Sequence, residues 1–221
     1  MTKFSKKDLG FSLLTGFITG FIAWQILDFL NVRFWIFGHF VCPSGFLCTQ
    51  VIRDEISWAV LMVIAPIVFI LGTWLGYFLG QWFKFFDQFG KFTVIGFTNA
   101  AMDFGILNLL IAWTDQDAGW WFAGFKAASF IVAGSISFLW NKYWAFNAGG
   151  TGGGGLEFGK FFTVALTAAF VNNLSASFVV NGIDPFMGLD THQWANIGAI
   201  TGSAVALVFS FLGFKFIVFK K

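Results

Sequence analysis

At 221 residues, 57% hydrophobic and 11% charged, with a mean hydropathy of +0.77, the chain holds less than half of the ~25% charge of a soluble domain. That composition excludes a soluble fold, and without a basic block of interleaved aromatics outside the apolar runs, nucleic acid is excluded as a partner. There is room instead for about six membrane helices of roughly 20 apolar residues each.

The first apolar run, Leu9 to Leu30, follows a basic start. It is longer than the ~7–15-residue core of a signal peptide and no A-x-A site ends it, so it reads as a retained helix. The next loop holds Cys42 and Cys48 in C-P-S-G-F-L-C. An oxidising compartment would join them in a disulfide, and a reducing one would leave two thiols. Only His39 lies nearby, so no metal site is expected. Further runs cover Ile56 to Phe83, Phe92 to Trp113, Trp120 to Trp140, Phe161 to Asn181 and Trp194 to Phe214. They are continuous rather than alternating, which calls for helices and not a barrel. The fold class expected is all-α, a polytopic bundle of six transmembrane helices. Six spans put Lys3, Lys6, Lys7, Lys84, Lys91, Lys142, Lys160, Lys215, Lys220 and Lys221 on the side of the termini and only Arg33 and Arg53 opposite. That bias sets both termini in the cytoplasm. Gly16 with Gly20, and Gly72 with Gly76 and Gly80, have the spacing of close helix contacts, and Pro66 is expected to bend the second span.

The chain repeats itself. F-G-K-F at 89–92 recurs at 158–161, an offset of 69, which places Asp103 on Asn172. The following helices match at an offset of 73, with Ala133 on Ala206, Ser137 on Ser210, Lys142 on Lys215 and Phe146 on Phe219. Residues 89–146 and 158–219 therefore read as two parallel helical hairpins related by an axis along the membrane normal. Residues 151–155, T-G-G-G-G, read as their linker, and residues 1–86 as a separate N-terminal hairpin ahead of a four-helix domain, 87–221.

A charge at mid-bilayer costs on the order of 2.5–3.5 kcal/mol, so intramembrane ionisable groups are functional candidates. Asp103 lies about 16 Å past Phe92, and Lys126 about 9 Å in from the opposite face, leaving an axial gap of about 5 Å that a lysine stem spans. The two are expected to meet, directly or through water. Gly96, Asn99 and Asp103 share a helix face, as do Lys126, Ser129, Ala133, Ser137 and Asn141 on the fourth helix. Small residues on such faces are ordinary packing surfaces, whereas the acid requires a specific reason. The boundary lysines and the aromatics of N-K-Y-W-A-F fit either the topology signal or a site for an anionic headgroup.

The run F-x-x-x-G-x-x-N-x-x-x-D-F at 92–104, S-F-L-W-N-K-Y-W-A-F at 137–146 and G-F-K-F-I-V-F at 213–219 resemble the GtrA-like family, four-helix bacterial membrane proteins of cell-surface polysaccharide synthesis. The resemblance covers about residues 87–221 and implies a protein of the bacterial inner membrane that translocates a polyprenyl-phosphate-linked sugar to the outer leaflet. Asp103 matches the family's acidic position, and Asn141 with Lys142 its asparagine and basic pair. The resemblance implies a phosphate held by Lys142 with Lys91 or Lys215 beside Asn141. The sugar would pass along a groove of Asp103, Asn99, Lys126, Ser137 and Asn172.

No G-x-x-x-x-G-K-[ST] motif is present, no cofactor is implied, and no catalytic constellation is visible: His39 and His192 lie in separate loops, and Asp115 and Asp117 in a solvated one. Two other readings use the same residues. The bundle could anchor a membrane glycosyltransferase without transporting anything, or Asp103 could serve a proton-coupled exporter of small cations, which Lys126 disfavours. Hairpins of this size need a partner to enclose a pathway, which points to a homo-oligomer.

Overall fold

A computed structural model describes residues 4–29, 35–41, 50–55, 57–150, 154–185, 188 and 190–220. Cys42 and Cys48 lie outside these residues. Six helices are long and apolar enough to cross a membrane: α1 (Lys6–Phe29), α2 (Leu61–Leu79), α3 (Phe86–Thr114), α4 (Gly119–Trp140), α5 (Gly154–Gly182) and α6 (Thr191–Gly213). Most of their large apolar side chains point outward, Trp113 and Phe178 among them, as a protein solvated by hydrocarbon requires. The chain is a multi-pass membrane protein.

Two features depart from expectation. The loop between α1 and α2 contains an antiparallel hairpin of β1 (Trp35–Val41) and β2 (Gln50–Glu55), with Trp35 opposite Glu55 and Val41 opposite Gln50. Its aromatic and β-branched content favours strands, but the segments are too short and irregular to show a period of two. Also, α5 starts at Gly154, so the last two glycines of the expected linker are helical; Glu157 in that first turn suits the positive end of the helix dipole.

Helix α1 lies against both α2 and α3. A Cβ on Gly16 would sit 2.4 Å from Pro66 Cα, and one on Gly20 2.2 Å from the Leu61 carbonyl, so bare glycine lets the backbones of α1 and α2 touch. Inside this seam the Ser12 hydroxyl donates to Thr73 Oγ1 at 3.0 Å, and the Thr19 hydroxyl to Thr98 Oγ1 on α3 at 3.1 Å.

Helices α4 and α6 each end in a π-helical turn, Asn141–Ala145 and Phe214–Val218, 73 residues apart. Around these turns aromatic contacts recur across the two hairpins. Phe89 meets Phe211 edge-on at 5.2 Å, and Phe158 meets Phe138 edge-on at 5.3 Å. Phe146 and Phe219 stack on each other at 5.1 Å, closing the cluster at the end of the bundle that bears both chain termini, hereafter the terminal end.

Asp8 fastens α1 to that end. Its carboxylate accepts from the Lys91 ammonium at 2.8 Å, the Trp144 indole at 3.0 Å, the Tyr77 hydroxyl at 2.9 Å and the Ser5 hydroxyl at 2.6 Å. Both partners of the ion pair are largely buried. Asp8→Ala should therefore destabilise the protein by about 3–5 kcal/mol, since it leaves the Lys91 charge uncompensated. The unfolding midpoint in detergent checks this, and the paired change of Asp8→Asn with Lys91→Met should recover part of the loss.

Candidate functional site

Asp103 faces α4 from the middle of α3. The Lys126 ammonium donates to Oδ2 and the Ser129 hydroxyl to Oδ1 at 2.5 Å. Ser129 is fully buried, whereas Lys126 is partly exposed and lies 5.2 Å over the Phe104 ring. Both carboxylate oxygens are thus engaged within the hairpin. The position 69 residues on behaves differently. A Cβ on Gly202 would meet Asn172 Oδ1 at 2.6 Å, so Asn172 is packed into the seam of α5 and α6. Gly202 stands 73 residues after Ser129, so the same helix-to-helix contact recurs with its hydroxyl and its charge removed.

Asn99, Ser137 and Asn141 come together on a cavity of about 200 Å³ among α3, α4, α5 and α6, with Gly96 and Ser210 and walls of Phe92, Phe161 and Phe214. Asp103, Lys126 and Asn172 do not line it. The π-helical turn begins at Asn141, which is 1% exposed. Its amide nitrogen donates to the Ser137 carbonyl at 2.9 Å and the Ser137 hydroxyl at 3.2 Å. Its Oδ1 has no partner among the described residues, and neither has Asn99 Oδ1, although both atoms are buried. An unanswered buried acceptor costs about 1–3 kcal/mol, so two on one small cavity mark a place for O–H or N–H donors.

The lysines expected to hold phosphate already have company. Lys142 is buried and donates to Glu157 Oε2 of α5 at 2.6 Å. Lys91 is bound by Asp8, with the Tyr77 ring 5.0 Å away. Lys215 is half-buried between the Phe211 and Phe216 rings, at 5.6 and 5.9 Å. Sequence reasoning overlooked Asp8 and Glu157 as counter-ions because an acid in the first turn of a helix already has an ordinary reason to be there.

The family model of the GtrA/DPMS transmembrane domain matches residues 91–219, more than half of the chain. No curated protein and no solved structure matches it.

Asp103 and Lys126 act as one unit in this geometry. Asp103→Asn and Lys126→Met should each lower thermal stability, and the double variant should lose clearly less than the two losses added, as a double-mutant cycle in detergent would show.

Proposed function

The chain belongs to the GtrA/DPMS transmembrane-domain family, and on that premise we propose that it moves a polyprenyl-phosphate-linked sugar from the cytoplasmic to the outer leaflet of the bacterial inner membrane for cell-surface polysaccharide synthesis. The observation that carries this reading is the cavity with its two unanswered amide oxygens. A sugar hydroxyl donates O–H, and stripping such groups of hydrogen bonds in hydrocarbon costs several kcal/mol each. Asn99 within its span and Asn141 at the terminal end of α4 supply acceptors, while Ser137 and Ser210 add hydroxyls. At about 200 Å³ the cavity is smaller than the ~300 Å³ lower bound for drug-sized ligands, which suits one sugar ring and not an oligosaccharide.

The phosphate stays at the terminal end, taken as cytoplasmic from the lysine bias. Asn141 and Lys142 are consecutive on the π-helical turn, so Asn141 lines the cavity while the Lys142 ammonium faces Glu157. An arriving phosphate competes with that carboxylate for Lys142, and Lys215 adds a second cation at the same depth. The isoprenoid chain remains in the bilayer throughout. Asp103, Lys126 and Ser129 stiffen the α3–α4 wall of the path. The absence of a nucleotide motif leaves direction to gradients or to consumption of the product.

Reconstituted in liposomes with a labelled polyprenyl-phosphate sugar, the protein should accelerate leaflet exchange. Asn141→Ala should slow it about 2–12-fold, the worth of one hydrogen bond of ~0.5–1.5 kcal/mol. Unaccelerated exchange by a stably folded protein that co-purifies with a glycosyltransferase would instead establish the anchoring role.

A further inference from the structure

The two hairpins carry equivalent outer faces, and only one of them is covered. On the first, α1 lies over α3 and the end of α4. Asp8 pairs with Lys91 and Trp144, Phe11 stacks on Trp144 at 5.0 Å, Thr19 meets Thr98, and Ile22 packs on Gly105, where a Cβ would lie 2.5 Å from its Cγ2. Shifting by 69 residues on α3 and 73 on α4 turns Lys91 into Lys160, Thr98 into Thr167, Tyr143, whose carbonyl accepts from the Lys7 ammonium of α1 at 3.0 Å, into Phe216, and Trp144 into Ile217. All four line an open groove of about 740 Å³ between α5 and α6. Lys160 is exposed and has no ion pair among the described residues.

The covered face shows what such a groove accepts: an apolar body with an anionic group on the lysine. The extent of the open one decides between a helix and a lipid. Its lining on α5 runs from Gly155 to Thr167, about 18 Å, close to one leaflet of a ~30 Å core. Beyond it, Gly105, which admits Ile22 on the first hairpin, is replaced by the protruding Leu174, so a full-length helix cannot lie down as α1 does. We propose that this groove holds an anionic phospholipid, its phosphate on the Lys160 ammonium and its chains along α5 and α6 in the leaflet of the terminal end. The lipid completes the second hairpin as α1 completes the first. It lies across the α5–α6 seam from the cavity of Asn99 and Asn141, because Gly213 and Val164 close that seam in direct contact. It is therefore not the translocated molecule.

Native mass spectrometry of the whole protein, delipidated in neutral detergent and then offered phosphatidylglycerol, phosphatidylcholine or a polyprenyl phosphate, tests the assignment. Phosphatidylglycerol should be retained over phosphatidylcholine by about fivefold, the worth of one lysine at a charged membrane surface. Lys160→Gln should abolish that preference and Lys160→Arg preserve it, with helix content unchanged by circular dichroism. Thr163→Leu, which fills the groove, should lower retention of both phospholipids. Equal retention of the two by the unaltered protein, or an undiminished preference in Lys160→Gln, would overturn the proposal. So would polyprenyl phosphate displacing phosphatidylglycerol in a Lys160-dependent way, which would give the groove to the transported lipid, or a foreign membrane helix cross-linking to Lys160. Apart from the polyprenyl phosphate result, none of these outcomes bears on leaflet exchange through the Asn99–Asn141 cavity, which is assayed separately.

Discussion

In hydrocarbon, a charge or a hydrogen-bonding atom with no partner has no water to turn to, and the arrangement of this protein follows from how each one is answered. The Asp8 carboxylate is the clearest case. It gathers an ammonium, an indole N–H and two hydroxyls from α2, α3, the end of α4 and its own helix start. Because these donors come from separate segments, the N-terminal hairpin cannot shift against the family domain without exposing several of them at once. Glu157 does the same between the hairpins by holding Lys142.

Against this rule of saturation stands the cavity of Asn99 and Asn141. Asp103 has both oxygens engaged, Lys91 and Lys142 have carboxylates, the Thr93 and Thr167 hydroxyls bond to their own helices, and the Thr19 hydroxyl bonds to Thr98. Among the described residues three buried amide oxygens remain, that of Gln88 and those of Asn99 and Asn141, and the last two belong to residues that line one cavity. The contrast separates residues that hold the bundle together from residues that await something. The mid-membrane acid falls in the first group and the asparagines in the second.

The helices were legible because lipid imposes a long, continuous apolar run on every span, and Asp103 met Lys126 because depth in a helix can be counted at a fixed rise per residue. Partners that depend on how helices pack sideways were not legible. Asp8 and Glu157 each sit in the first turn of a helix, and nothing local says that one reaches Lys91 and Trp144 and the other Lys142. Asn172 shares a sequence position with Asp103 in the repeat, yet Gly202 in place of Ser129 draws its helix close and turns the residue into packing. The orphan oxygens are invisible in sequence by nature, since an absent partner is a property of the assembled structure alone.

The node at Asp8 also constrains how the protein is made. Trp144 lies 136 residues downstream, which at roughly 5–20 residues per second is a wait of about 7–27 s at the ribosome. During that interval the first helix is in the membrane with its acid only partly satisfied. Tyr77 arrives first, then Lys91, then the indole, so the same carboxylate gains its donors in the order of synthesis. Assembly thereby acquires a direction: each newly inserted span finds a docking point already held by the one before it.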